Sequence, residues 1–256
     1  MLLTIDVGNT NTAWGLFDGD VLIHRWAMGT DINRSAEEYT EMASLCLLRK
    51  NIQIESIAGV ALANVVPSML NKIIDLCMVL FGQKPLILGP GVKTRLKIRF
   101  EPPTELGADR IANAVAACRL YGKNTIVVDL GTATTFDCIT NGEYAGGAVS
   151  PGLIAGVEGL TARAPRLPRV DLVKPPAAIG RTVTTALQSG IVNGHAALLE
   201  GMVERILQEI GPAEVVLTGD HAEIVRPALR IRHTLDNALT LKGLRYIYDY
   251  TVTTDA

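Results

Sequence analysis

The sequence predicts an α/β protein built as two duplicated halves, each a mixed sheet with helices packed on it. Three observations lead there. First, a short segment recurs: Thr4-Ile5-Asp6-Val7-Gly8-Asn9-Thr10-Asn11-Thr12 is matched, 123 positions later, by Val127-Val128-Asp129-Leu130-Gly131-Thr132-Ala133-Thr134-Thr135. Second, each copy continues into hairpin chemistry, with Asp18-Gly19-Asp20 in one and Asn141-Gly142 in the other set between short apolar runs. Third, each half then turns to apolar spacing of helical period.

Taken in order, each half opens as strand, glycine turn, strand, glycine turn, strand. Ser35 and Glu38 form a capping-box pattern ahead of a helix over Tyr39 to Leu48. Pro67 and Ser68 start another, in which Leu70, Ile73, Ile74, Cys77 and Leu80 recur on one face until Gly82 ends it. Strands are expected at about 57–62, 86–88 and 95–100, and helices at 105–120 and 183–210, with a further strand at 213–218. The halves are expected to be 1–120 and 121–256, parting at Tyr121-Gly122-Lys123-Asn124.

Composition narrows the function classes. With 48% apolar and 20% charged residues over 256 positions, the chain buries a full core and is not a disordered segment. No run approaches the roughly 18 apolar residues a membrane span needs. Met1 to Ile5 precede Asp6 and are too short for a signal-peptide core, so an intracellular protein without membrane attachment is expected. The net charge of -2 comes without a basic stripe, which argues against nucleic acid as a partner. Cys46, Cys77, Cys118 and Cys138, like His24, His195, His221 and His233, are too scattered for a metal site; buried free thiols are expected.

The repeated Asp-x-Gly loops read as a pair of phosphate clamps. Gly8 and Gly131 let the backbone turn tightly and approach a ligand, and the small residues around them present N–H groups, hydroxyls and amides to phosphate oxygens. Asp6 and Asp129 suit the cation that accompanies phosphates. One such string alone is ordinary turn chemistry, but two in equivalent places are not. Neither a G-x-x-x-x-G-K-S/T loop nor a G-x-G-x-x-G fingerprint is present.

A third segment, Phe100 to Ala117, leads through Pro102 and Pro103 into an alanine-rich helix with Asp109 in its first turn. An acid there suits the helix dipole, so capping accounts for it as well as catalysis does. A kinase needs a carboxylate to take the proton of the attacking hydroxyl and a cation beside the substrate, and Asp109 with Arg110 supplies both.

The strings D-V-G-N-T-N-T, G-A-D-R-I-x-N-A-V-A-A and V-D-x-G-T-A-T-T-x-D, together with Ala145 to Leu153, Ile179-Gly180-Arg181, Gln188-Ser189-Gly190 and Leu241 to Leu244, resemble type III pantothenate kinases in order and across essentially the whole chain. The resemblance implies two ribonuclease-H-like (actin-like ATPase) domains with mixed sheets and a cleft between them. It implies ATP-dependent phosphorylation of pantothenate to 4′-phosphopantothenate, the first step toward coenzyme A, by a cytoplasmic homodimer. By position, Asp6, Val7, Gly8, Asn9, Thr10, Asn11, Thr12 and Thr132 would contact ATP, with Asp6 near Mg2+. Asp109 would be the general base, and Asp129 the ligand of a monovalent cation, K+ or NH4+. Phe100, Gly107, Ala108, Arg110 and Thr184 would line the pantothenate pocket. The family often has Tyr where Phe100 stands and Thr where Val183 stands; the flanking Thr182 and Thr184 are the hydroxyls left, with Thr184 preferred. The alternatives are a kinase for another small hydroxy-acid or sugar, and a non-catalytic regulatory relative.

Overall fold

The computed structural model describes residues 1–252. In chain order the elements are β1 (Leu2–Val7), β2 (Asn11–Asp18), β3 (Val21–Gly29), α1 (Ala36–Arg49), β4 (Gly59–Asn64), α2 (Leu70–Phe81), β5 (Leu86–Ile87), β6 (Lys97–Ile98) and α3 (Ala108–Leu120). They continue with β7 (Thr125–Leu130), β8 (Ala133–Thr140), β9 (Glu143–Pro151), α4 (Leu153–Arg163), α5 (Val183–Gln188), α6 (Gly194–Ile210), β10 (Glu214–Thr218), α7 (Ala222–Val225), β11 (Thr234–Leu235) and α8 (Leu239–Val252).

Two compact units result. The first comprises Met1–Leu96, Phe100–Ala116 and the stretch from Ala238. Its sheet has the order β3-β2-β1-β4-β5, with β1 antiparallel to β2 and parallel to β4. One face of β1 and β4 presents Leu3, Ile5, Val7, Val60 and Leu62 to a core completed by Tyr39, Ala43 and Leu47 of α1 and Ile73, Leu76 and Cys77 of α2. These helical residues recur three and four apart, as one buried stripe requires. The capping box is formed as expected, Ser35 accepting from the Glu38 N–H and Glu38 from the Ser35 N–H. Gly82 ends α2 in the left-handed region.

The opposite face of β1 is covered as well. A side chain on Gly15 would meet Thr4 and Leu241, so α8 lies over this side of the sheet. Coverage on both faces explains why β1 reads as a nearly continuous apolar run rather than an alternating one. Within the same unit α8 crosses α3 where Gly243 stands: a Cβ there would sit 1.9 Å from the Ala112 carbonyl oxygen. The buried Thr240 hydroxyl donates to Asn113 Oδ1 at 2.8 Å beside that crossing.

The second unit comprises Lys97–Arg99 and Ala117–Asn237. Its sheet has the order β11-β10-β7-β8-β9-β6. Apart from the added β6, this repeats the order of the first sheet, and the pairings of β7 with β8 and β10 have the same senses as those of β1 with β2 and β4. Its core sets Ile126, Val128 and Leu130 against Leu199, Val203 and Ile206 of α6 and Val215 and Leu217 of β10.

The repeat is not perfectly even. Asp129 matches Asp6 at an offset of 123, but Val7 pairs with Thr12 whereas Leu130 pairs with Thr134. The first loop is one residue longer, so from β2 and β8 onward the offset falls to 122. The register shifts at Leu16/Phe17 and Cys138/Ile139 agree with that offset, as do the hairpin pairs Asp18↔Val21 and Thr140↔Glu143. Thr12 therefore corresponds to Thr134 and not, as the ungapped comparison has it, to Thr135.

Elsewhere the expected elements are trimmed or split. The strand expected over 95–100 is the two-residue β6, and α3 starts at Ala108, preceded by a 3-10 turn over Pro103–Glu105. The helix expected over 183–210 is α5 and α6 joined through a π-helical turn at Ser189–Asn193, where Asn193 donates to Ser189 Oγ and Ser189 to the Ala178 carbonyl. All four cysteines are free thiols; Cys77 and Cys138 are buried, whereas Cys46 and Cys118 are only partly so. Burial pushes the Cys77 thiol up to about 12.

Gly243→Ala forces a methyl group into main chain that cannot yield, and should cost about 3 kcal/mol or more. Ser35→Ala removes only one cap hydrogen bond and should cost about 1 kcal/mol. Urea unfolding of both variants tests this order; a G243A midpoint equal to that of S35A would remove the helix crossing as a constraint.

Candidate active site

The candidate residues lie in both units, and each set is built locally. In the first unit β1 ends at Val7 and the chain turns through Gly8, Asn9 and Thr10 into β2. The Gly8 N–H donates to the Asn11 carbonyl at 3.0 Å and closes the turn. Its flanks are held from both sides: the Val65 N–H, just past β4, donates to the Val7 carbonyl at 3.1 Å, and the Thr30 N–H donates to the Thr10 carbonyl at 2.9 Å. The buried Thr12 hydroxyl shares a 2.9 Å hydrogen bond with Thr30 Oγ1. Asn9 and Thr10 are exposed at the tip, and Asp6 is half-buried at the end of the strand.

Asp109 stands in the first turn of α3. Its Oδ1 accepts from the Arg110 N–H at 2.8 Å. A Cβ on Gly107 would lie 2.4 Å from that oxygen and 3.6 Å from Val65 Cγ1, so Gly107 leaves the room in which the carboxylate sits beside the turn after β4. The first loop, Gly107 and Asp109 are thus brought together through Val65. Burial raises the Asp109 carboxyl above its ordinary value, outweighing the Arg110 N–H and guanidinium, which act to lower it. A carboxylate raised in this way is a better proton acceptor near neutral pH than an exposed one. Phe100 belongs to the same unit and is half-buried.

In the second unit Asp129 and Gly131 are half-buried at the end of β7, and Thr132 is exposed at the loop tip. The loop is tighter, with the Gly131 N–H donating to the Ala133 carbonyl at 3.0 Å. Two glycines admit close neighbours: a Cβ on Gly152 would lie 2.3 Å from the Thr132 carbonyl oxygen, and one on Gly219 2.4 Å from Asp129 Oδ1. Two histidines also touch this region. His221 donates its backbone N–H to the Leu130 carbonyl at 3.0 Å, and its Nδ1 is 3.3 Å from the Gly131 carbonyl. His195 Nε2 is 3.0 Å from the Thr134 hydroxyl. Burial and then the nearby His221 hold the His195 imidazole below its ordinary value, so it is neutral at pH 7.

Sequence reasoning passed over both histidines, because a lone His carries no spacing signal and their partners lie 61 and 90 positions away. Of the two flanking threonines, Thr182 is engaged as the N-cap of α5, its hydroxyl accepting from the Thr185 N–H at 3.2 Å. Thr184 is exposed, and its hydroxyl is not part of that cap. Beside α5 a cavity of about 690 Å3 opens between α4, α5 and α6, lined by Gly152, Leu160, Val183, Leu187, His195 and Leu198 among others.

The carboxylates also fit a hard cation. Among the described residues no three His, Cys, Asp or Glu side chains cluster as a protein cage would require. Single carboxylates at the ends of strands suit Mg2+, which keeps water and substrate oxygens as most of its ligands.

A family model for type III pantothenate kinase matches residues 2–205. The chain is 44% identical over 250 residues to the type III pantothenate kinase of Syntrophus aciditrophicus, covering 97% of this chain and 98% of that one. To the enzyme of the same name from Moorella thermoacetica it is 44% identical over 251 residues, covering 97% and 99%. Among solved structures, a Campylobacter jejuni protein described as a Baf family transcriptional activator superposes with a TM-score of 0.62 at 20% identity, covering 98% of this chain and 99% of that one. The inorganic polyphosphate/ATP-glucomannokinase of Arthrobacter sp. gives 0.50 at 18% identity, covering 96% and 98%. Those two likenesses show the fold alone, the duplicated ribonuclease-H-like architecture of the actin-like ATPases. The matches in sequence, which run the length of the chain, show more: it belongs to the type III pantothenate kinase family.

Proposed function

We propose that this chain transfers the terminal phosphoryl group of ATP to the 4′-hydroxyl of pantothenate, opening coenzyme A biosynthesis. The observation that carries the reading is Asp109: a carboxylate raised by burial, in the first turn of α3, beside the turn that also holds the first phosphate loop. Asp6 through Thr12 and Thr132 hold the triphosphate, one loop in each of the halves 1–120 and 121–256. Phe100, Gly107, Ala108, Arg110 and Thr184 receive pantothenate, with the Arg110 guanidinium suited to its carboxylate. Asp109 takes the proton from the attacking hydroxyl as the new P–O bond forms and the bond to ADP breaks. Asp6 would stand beside a divalent cation carried with the nucleotide, which would supply charge neutralisation at the phosphoryl oxygens, and Asp129 would hold K+ or NH4+. The reading carries with it a cytoplasmic location and a homodimer, the second supported by exposed Val183, Leu160 and Leu198 around the apolar cavity.

Asp109→Asn should lower kcat by roughly 10²–10⁴-fold, the usual contribution of a general base, while ATP-analogue binding persists. Because ionised Asp109 is disfavoured in the folded state, its charge costs stability above the unfolded pKa, so D109N should unfold at an equal or higher urea concentration at pH 7. A coupled ATP-consumption assay with pantothenate and other hydroxy-acids tests the assignment; turnover only with another acceptor would sink it.

The base works only when deprotonated, so activity should fall as pH drops through the Asp109 pKa. The acid limb of kcat/KM should therefore lie above the ordinary aspartate value of about 3.9. A limb at or below that value would take Asp109 out of the role. Asp129→Asn should abolish any rate difference between K+ and Na+ buffers; a retained difference would move the monovalent ion elsewhere.

A further inference from the structure

The two phosphate loops are anchored by the same backbone bond but differ in one side chain. In the first unit the carbonyl that ends β1, that of Val7, accepts the N–H of Val65 from the turn after the neighbouring parallel strand β4. In the second unit the carbonyl that ends β7, that of Leu130, accepts the N–H of His221 from the turn after the neighbouring parallel strand β10. Val65 has no side-chain donor. The His221 ring reaches one residue further, to the Gly131 carbonyl at 3.3 Å. A carbonyl only accepts, so Nδ1 carries the hydrogen in this contact.

That bond fixes a peptide plane. The Gly131–Thr132 peptide is trans, the cis bond among the described residues being Glu101-Pro102. In a trans peptide the C=O and the following N–H point in opposite directions. Holding the Gly131 carbonyl toward His221 therefore directs the Thr132 N–H to the opposite side of the loop. Gly131 itself is the residue least able to hold its own plane, since it has the widest backbone freedom. The Gly131 and Thr132 carbonyls both pack against Gly152, which admits them for want of a side chain but offers no side-chain donor; the His221 ring supplies one to the Gly131 carbonyl.

We propose that His221 is a positioning residue of the second phosphate loop, orienting the Gly131–Thr132 peptide so that the Thr132 N–H donates to a phosphate oxygen of ATP. The assignment rests on the reading of Thr132 as an ATP contact. It gives the second loop a side-chain donor at the bond where the first has Val65.

The test uses the full-length protein with His221→Val, which installs the residue type found at the matching bond of the first loop, and His221→Asn, whose amide N–H can reach the same carbonyl. Steady-state rates with ATP and pantothenate varied in turn, calorimetric titration with a non-hydrolysable ATP analogue, and thermal unfolding are read together. Loss of one charge-assisted hydrogen bond predicts a roughly tenfold rise in ATP KM and analogue Kd for H221V. Pantothenate KM should stay within about twofold, as a change confined to nucleotide binding requires, and H221N should recover most of the loss. Analogue binding by H221V within twofold of wild type would overturn the assignment. So would equal losses toward both substrates with a lowered unfolding temperature and no rescue by Asn, which is the signature of a merely structural residue. If the wild-type chain fails to bind the analogue, the ATP reading itself falls and this inference with it, an outcome distinct from normal wild-type binding left unchanged in H221V.

Discussion

Both Asp-x-Gly loops depend on a strand-end carbonyl whose hydrogen bond comes from the turn after an adjacent parallel strand. Without the bonds to Val7 and Leu130, the last carbonyl of each central strand would face a glycine turn with no partner. Parallel pairing of β1 with β4 and of β7 with β10 brings those ends side by side. It is also why ligands of open α/β sheets gather beyond the carboxyl ends of such strands. Coverage of the β1 sheet on both faces, by α1 and α2 on one side and α8 on the other, keeps the strand from sliding in register, since a one-residue slip would turn Asp6 into the core and Val7 out of it.

Much of this was legible in the sequence because it is written in local chemistry. The strand-turn-strand openings, the capping box at Ser35 and Glu38 and the left-handed glycine after α2 each involve residues a few positions apart, and each stands where the pattern put it. Less legible were features set by distant partners. The short β6 is a strand only because Lys97 and Ile98 find β9 as a neighbour. The π turn between α5 and α6 arises inside an uninterrupted helical pattern and is recognisable by the Ser189 and Asn193 bonds, not by spacing. Even the repeat misleads by one residue: a ladder register, not residue similarity, identifies Thr134 as the counterpart of Thr12.

The candidate site divides in the same way. Asp6, Asp129 and their glycines announce themselves through turn chemistry, and Asp109 through its place at a helix start. For Asp109 the sequence left capping and catalysis equally open. In the structure burial raises this carboxyl, as it would not raise a capping carboxylate that stays exposed. Gly152 and Gly219 look like ordinary loop glycines until the Thr132 carbonyl and the Asp129 carboxylate are seen against them. His221 had no signal at all, since its role consists of two bonds to carbonyls about 90 positions earlier.

The unequal support of the two loops follows from their lengths. The longer first loop can close with an N–H of Gly8 reaching the Asn11 carbonyl, and Thr30, just past β3, lends a further main-chain donor to the Thr10 carbonyl. The shorter second loop closes from Gly131 to Ala133 and has fewer peptide planes in which to spread the turn. With so few planes, each orientation matters more, and a side chain from outside is the direct means of holding one. Duplication explains why two Asp-x-Gly loops exist, but it does not keep them alike. In the shorter second turn the ring of His221 reaches the Gly131 carbonyl, whereas Val65, at the matching bond of the first, has no side-chain donor.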